Sequence, residues 1–167
     1  MGWLSLVTAI LCSLLLFRLA WSDLLHRRLP NWLVLILCLL FPLSTLAMGW
    51  SPAQMFPHLF VAVVTLLFCA VLVAMGGFGG GDAKLAAVVM LWAGPAATGT
   101  TLLLISQAGL LLALAGMAAQ RSLPRLTPGS RLHRSLSCLA PTPGVPYGIA
   151  LSFGGLYAVW TVLSTHP

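Results

Sequence analysis

Long apolar runs recur along this chain, and they constrain its fold more than any other feature of the sequence. A helix needs about 20 apolar residues to cross the hydrocarbon core of a bilayer. Turn and helix-stop residues, among them Gly94-Pro95, divide the chain into six such runs, of which the fourth is short. These are residues 3–22, 32–48, 57–75, 84–97, 100–119 and 148–165. The sequence therefore predicts an all-α integral membrane protein with six transmembrane helices in a single domain, residues 1–167.

The charge content excludes an ordinary soluble protein. Only 6% of the residues are charged, against roughly 25% in soluble domains. The net charge of +6 would suit a nucleic acid only if it were clustered on a soluble face, and no such face is expected. We therefore expect no nucleic-acid partner. The basic excess is instead assigned to the cytoplasmic side of the bilayer and to its anionic lipid headgroups.

The distribution of basic residues predicts the orientation. In an up-and-down chain of six helices, the loops after spans one, three and five share one side, and basic residues mark the cytoplasmic side. The loops after spans two and four hold no Lys or Arg. Those after spans one, three and five hold Arg27, Arg28, Lys84, Arg121, Arg125, Arg131 and Arg134. We therefore predict that the N-terminus and the C-terminus both lie outside.

Asp23 and Asp82 are the only acidic residues in the chain. The predicted topology places both at the cytoplasmic boundary, because Asp23 follows the first span and Asp82 precedes the fourth. Ionisable groups at membrane depth are functional candidates by default. Each aspartate also has a purely structural interpretation. Asp82 would be a helix N-cap, and Asp23 would form an ion pair with Arg27. Whether the two carboxylates meet depends on helices one and four being neighbours, which the sequence leaves open.

A run rich in glycine leads directly into Asp82: residues 76–81 read Gly-Gly-Phe-Gly-Gly-Gly. Bare backbone of this kind can approach a substrate closely or take up positive φ angles. A flexible loop between two helices is one alternative. A phosphate-binding loop ranks low, since neither a Gly-Lys-Ser/Thr sequence nor a strand-turn-helix context is present.

These motifs resemble those of a known family. Residues 79–82 fit the GxGD signature of intramembrane aspartyl proteases, and Lys84-Leu85 follow it. Asp23, with the Arg-Arg-x-Pro-Asn of residues 27–31, resembles the first motif of prepilin peptidases. Residues 146–150, Pro-Tyr-Gly-Ile-Ala, are similar to a further segment of these enzymes. By this resemblance the chain is identified as a type IV prepilin leader peptidase, of the short form that serves Tad/Flp pilus systems.

The resemblance implies a function and a location. Such enzymes are multi-pass proteins of the bacterial inner membrane that remove the leader from prepilins or pseudopilins at the cytoplasmic membrane boundary. Larger members carry a zinc-binding cysteine segment between the first spans and also N-methylate the new terminus. Here only a few residues separate Asp23 from Trp32, and no cysteine pair is present. We therefore expect a prepilin or pseudopilin substrate, no N-methyltransferase activity, no metal and no cofactor.

The resemblance also implies that Asp23 and Asp82 are the catalytic pair. Peptide hydrolysis by two carboxylates needs one ionised as a general base for water and one protonated to polarise the scissile carbonyl. Close like charges produce this division, because ionising one carboxylate disfavours ionising the other. For Lys84 the alternative is an interfacial charge that fixes the topology. The residues expected to support the site or bind substrate are Gly79, Gly81, Lys84 and Asn31.

Two other classes of protein stay open. A small ion-coupled transporter would use the two aspartates as a proton relay, but transporter sites usually lie near the midplane between repeats, and no repeat is visible. A non-catalytic subunit of a secretion or pilus machine would use them only as a helix cap and an ion pair. Exchange of each aspartate for asparagine would leave the function of such a subunit largely intact.

Overall fold

The computed structural model describes residues 2–122 and 146–165, and every helix or strand assigned in this part of the chain is an α-helix. The predicted all-α class is confirmed for these residues. The basic loop predicted after span five, with Arg125, Arg131 and Arg134, lies outside the described residues. The helices are α1 (Trp3–His26), α2 (Asn31–Ala47), α3 (Pro52–Ala74), α4 (Gly80–Ser122) and α5 (Tyr147–Thr165).

Four of these helices, α1, α3, α4 and α5, are long and apolar enough to cross a membrane. The remaining helix, α2, is also apolar but has only 17 residues. Large apolar side chains point outwards from the bundle; Leu67 and Phe68 of α3, for example, are 63% and 64% exposed. Extended apolar surfaces of this kind suit lipid and not water. The chain is a membrane protein, whereas the count of six spans and the orientation of the termini stay predictions.

The start of α3 differs from the sequence prediction. The third span was predicted to begin at Pro57, but α3 begins at Pro52 and Pro57 lies within its second turn. The earlier start follows from Ser51, whose backbone N–H donates a 2.8 Å hydrogen bond to Gln54 Oε1. Such a cap satisfies backbone donors at a helix start. Pro52 suits the first helical position because the N–H that it lacks would have no helical acceptor there.

The fourth and fifth predicted spans correspond to two helical arms of α4, which meet at the predicted break of Gly94-Pro95. α4 runs from Gly80 to Ser122 and contains non-helical backbone only at Gly94, with φ 59° and ψ −176°. The stretch between the predicted spans stays helical because Pro95 follows the break, at a position where helices favour proline. A straight helix of 43 residues would be about 64 Å long, roughly twice the hydrocarbon thickness. Gly94 divides α4 into a first arm, residues 80–93, and a second arm, residues 95–122.

A histidine from α3 stabilises this break. Pro95 has no N–H, so the Leu91 carbonyl loses the donor that would lie four residues later. The Nδ1 of His58 lies 2.9 Å from that carbonyl oxygen and donates in its place. A Cβ at Gly94 would collide with the His58 ring, and the positive φ also favours glycine. Gly94 and His58 therefore act together to tie α3 to the turn in α4.

The last described helix, α5, packs against both α1 and α4. Two adjacent glycines permit the close approach. A Cβ on Gly154 would lie 3.0 Å from Ile105 Cδ1, and one on Gly155 would lie 3.0 Å from both Leu16 Cδ2 and Val89 Cγ2. Small residues at such positions allow membrane helices to approach each other. Both arms of α4 and the middle of α1 therefore meet at α5, while α2 packs against α1 and α4, and α3 packs against α4.

Candidate active site

Asp23 lies in the last turn of α1, which continues past the predicted end of the first span to His26. The side chain is buried, and only 6% of the residue is exposed. The N–H of Gly148 donates a 2.8 Å hydrogen bond to Asp23 Oδ2. Gly148 is the second residue of α5, so the first turn of α5 points at the carboxylate. A helix N-terminus carries unpaired N–H groups and a partial positive charge, which stabilise an anion.

The approach of α5 to Asp23 leaves no space for a side chain at position 148. A Cβ there would lie 2.8 Å from Asp23 Oδ2, 2.9 Å from Cγ and 3.0 Å from Cβ. Non-bonded carbon atoms prefer separations of about 3.5 to 4.0 Å. Any residue other than glycine at this position would therefore displace Asp23 or α5.

A negative charge at the carboxyl end of α1 is opposed by the dipole of that helix. The N-terminus of α5 offsets this effect, and so does Arg27, which interacts electrostatically with the Asp23 carboxylate. Arg27 ends α1 in the left-handed conformation with φ 52°, and its backbone N–H donates to the Asp23 carbonyl at 2.9 Å. Asp23 thus interacts with Arg27, as one alternative expected, and in addition with α5.

Asp82 lies in the first turn of α4 and is half-buried. It is not the helix N-cap of the alternative interpretation, because α4 begins two residues earlier, at Gly80. The carboxylate folds back over Gly79 instead: a Cβ on Gly79 would lie 2.7 Å from Asp82 Oδ2. The absence of a side chain at Gly79 therefore provides the space that the Asp82 carboxylate occupies.

The structure brings the two carboxylates within electrostatic range of each other. This proximity depends on α5, against which both α1 and α4 pack. The start of α5 presents the Gly148 N–H to Asp23 and brings the neighbouring Tyr147 side chain near Asp82. The last helix is thus the element that assembles the pair.

The other predicted site residues lie in three places. Gly79 lies beside Asp82, and Gly81 packs against Leu29, where a Cβ on Gly81 would lie 3.4 Å from Leu29 Cβ. Lys84 Nζ donates a 3.2 Å hydrogen bond to Asn31 Oδ1, and both of these side chains are exposed. Lys84 is two residues beyond Asp82, about 200° around the helix, so this bond ties α4 to α2 away from the carboxylates. A role of these four residues in substrate binding stays a prediction.

Sequence reasoning missed the roles of Tyr147 and Gly148. Residues 146–150 were noted only as a segment similar to one in a family, with no function for either residue. In the structure, the Tyr147 ring packs edge-to-face on Phe78 with centroids 5.7 Å apart. A glycine inside the first turn of an apolar helix is unfavourable by propensity. A glycine at this position therefore indicates that another group approaches the backbone closely, but it does not indicate which residue that is.

The arrangement suits acid–base chemistry on a water molecule. Asp23 has a fixed N–H donor, and the neighbouring charge of Asp82 favours a pair that holds one proton. Within residues 2–122 and 146–165, no group of three His, Cys, Asp or Glu side chains is placed to hold a metal ion.

The chain matches a known protein family. The model of the type IV leader peptidase family matches residues 9–114, a range that includes both aspartates and the glycine run. No curated protein and no solved structure matches the chain.

Proposed function

The chain belongs to the type IV leader peptidase family, and we propose that it is an aspartic endopeptidase that removes the leader from Flp-like type IV prepilins or pseudopilins. The observation that carries the proposal is the convergence of Asp23 and Asp82 at the first turn of α5. The chain has no other acidic residue, so a two-carboxylate mechanism has only this pair to use.

In the proposed mechanism, Asp23 is the ionised member of the pair. Its Oδ2 accepts the Gly148 N–H and faces the N-terminus of α5, and both features favour a carboxylate over a carboxylic acid. Asp82 holds the proton of the pair and donates a hydrogen bond to the scissile carbonyl oxygen. The two groups titrate as a coupled unit, so these roles describe the reactive protonation state of the pair.

The reaction then proceeds without a covalent intermediate. Asp23 accepts a proton from water as the water oxygen attacks the scissile carbonyl carbon, and Asp82 transfers its proton to the carbonyl oxygen. The tetrahedral gem-diol collapses when Asp82 takes a proton back from one hydroxyl, the C–N bond breaks, and the leaving amine takes the proton from Asp23. Each carboxylate thus returns to its starting state.

We also propose that cleavage takes place at the cytoplasmic face of the bacterial inner membrane, with both termini outside, and without N-methylation of the product. The short connection between α1 and α2 supports the last point, since α1 ends at His26 and α2 begins at Asn31. No additional domain fits between these helices.

The test is leader cleavage of a co-expressed Flp-type prepilin, measured by intact mass. Wild-type protein is compared with Asp23→Asn and Asp82→Asn, each of which keeps the side-chain shape but removes the ionisable group. We expect cleavage by wild type and its loss in both variants, while all three proteins reach the membrane in equal amounts. Cleavage that survives either exchange would overturn the paired-carboxylate mechanism.

A further inference from the structure

Two of the apolar grooves in the described part of the chain flank the first arm of α4. The larger, about 490 Å³, lies between α2, α3 and α4 and has Lys84 and Asn31 at one end; we call it the α2–α3 groove. The smaller, about 390 Å³, lies between α3, α4 and α5; we call it the α3–α5 groove. Either groove is wide enough to receive apolar side chains from a neighbouring helix. The position of each groove relative to the carboxylates therefore decides which of the two is the better candidate for binding such a helix.

Helix geometry places the α3–α5 groove on the face of α4 that carries Asp82. Residues four apart on a helix lie on the same face, and Ala86 and Met90, four and eight residues after Asp82, both line this groove. The α2–α3 groove is instead lined by Lys84, Val88 and further residues of the Lys84 face. The α3–α5 groove is therefore in line with the catalytic carboxylate along α4.

Tyr147 connects this groove to the carboxylate pair. Its side chain lines the groove and lies near Asp82, and the N–H of the next residue, Gly148, donates a hydrogen bond to Asp23. From this end the lining continues along α3 from Leu72 to Val64, a distance of about 12 Å at 1.5 Å per residue. The groove thus begins at Tyr147, beside the carboxylate pair, and follows α3 for about two helical turns into the apolar part of the bundle.

The groove is open to the surrounding bilayer. Val64 and Phe68 of its α3 wall are 48% and 64% exposed. A helix already in the membrane can therefore enter from the side, without passing through water. Its apolar residues would replace lipid contacts with protein contacts along the groove.

We propose that the α3–α5 groove binds the apolar helix of the substrate, the segment that follows directly after the scissile bond. This inference rests on the proposed function and on the family resemblance, which implies that the leader is cut off just before the apolar helix of the substrate. The occupant must meet the carboxylates at one end and present an apolar surface for about two turns beyond them. The α3–α5 groove satisfies both conditions, while the α2–α3 groove starts at the Lys84–Asn31 bond on another face of α4.

Two adjacent valines on α3 allow a matched test. Val64 lines the α3–α5 groove and Val63 lines the α2–α3 groove, and they are 48% and 47% exposed. Tryptophan at either position adds the same bulk at the same depth. We expect Val64→Trp to raise the KM for a Flp-type prepilin by roughly tenfold or more, the scale of a lost apolar contact. Val63→Trp is expected to keep the wild-type KM.

A binding measurement independent of cleavage completes the test. A photo-activatable phenylalanine is placed at position 64 or 63 in the Asp82→Asn background, together with an epitope-tagged Flp-type prepilin that remains uncleaved. We expect a cross-link to the apolar helix of the prepilin from position 64 and none from position 63. Two outcomes would overturn the groove assignment, provided that the wild type cleaves the prepilin. One is cross-linking from position 63 alone, and the other is an equal effect of the two tryptophans on KM. A wild-type protein that leaves the prepilin uncleaved would refute the proposed function itself.

Discussion

Replacing Gly148 by alanine tests the contact that holds the proposed site together. The added methyl group would lie 2.8 to 3.0 Å from three atoms of the Asp23 side chain, where about 3.5 Å is the shortest comfortable separation. Asp23 or the start of α5 must then move by about 0.5 Å or more, and the 2.8 Å hydrogen bond is lengthened. Misplacement of a catalytic group by 1 Å costs about 100-fold in rate. We therefore expect kcat/KM to fall between about 10-fold and about 100-fold.

The assay is the initial rate of leader removal from a purified Flp-type prepilin by detergent-solubilised enzyme, followed by intact mass. Gly99→Ala is the matched control, because it makes the same change in another helical glycine and a Cβ there meets no atom within 4 Å. We expect this control to cleave at the wild-type rate. Membrane abundance and the thermal midpoint in detergent are measured for both variants, so that a loss of folding is recognised. A folded Gly148→Ala enzyme with wild-type kcat/KM would refute the idea that the α5 N-terminus positions Asp23.

Two further predictions concern pH and the turn in α4. The pH profile of kcat/KM should be bell-shaped, because activity is lost at low pH when the ionised carboxylate takes up a proton and at high pH when its partner loses one. A kcat/KM that does not change with pH would contradict the mechanism. His58→Phe should lower the unfolding free energy by about 1 to 3 kcal/mol, because it leaves the Leu91 carbonyl without its donor. Phenylalanine is chosen because it keeps an aromatic ring near Phe41. Thermal unfolding in detergent measures this loss, and an unchanged midpoint would show that the bond contributes nothing.

The helical class and the level of the carboxylates follow from local features of the sequence. Apolar runs separated by turn residues determine where helices form, and their alternation predicts that Asp23 and Asp82 lie near the same membrane surface. These inferences need only the residues of each segment and its length. The break at Gly94-Pro95 was predictable for the same reason, since proline lacks the donor that a continuous helix requires.

The contacts that complete the site could not be predicted, because they join distant parts of the chain. Gly148 is 125 residues from Asp23, and nothing in its own segment indicates which side chain it faces. His58 likewise lies 33 residues from the carbonyl that it satisfies. A missing donor at Pro95 predicts that some group must replace it, but the identity of that group depends on how α3 packs against α4.

The position of α5 in the chain has a consequence for biogenesis. The first 122 residues contain both aspartates and the glycine run, yet they lack the backbone N–H that fixes Asp23 and the helix against which α1 and α4 pack. A nascent chain that has inserted only its earlier helices therefore carries the acids without the arrangement that pairs them. On the proposed mechanism, such a chain becomes competent for proteolysis only when the last helix docks.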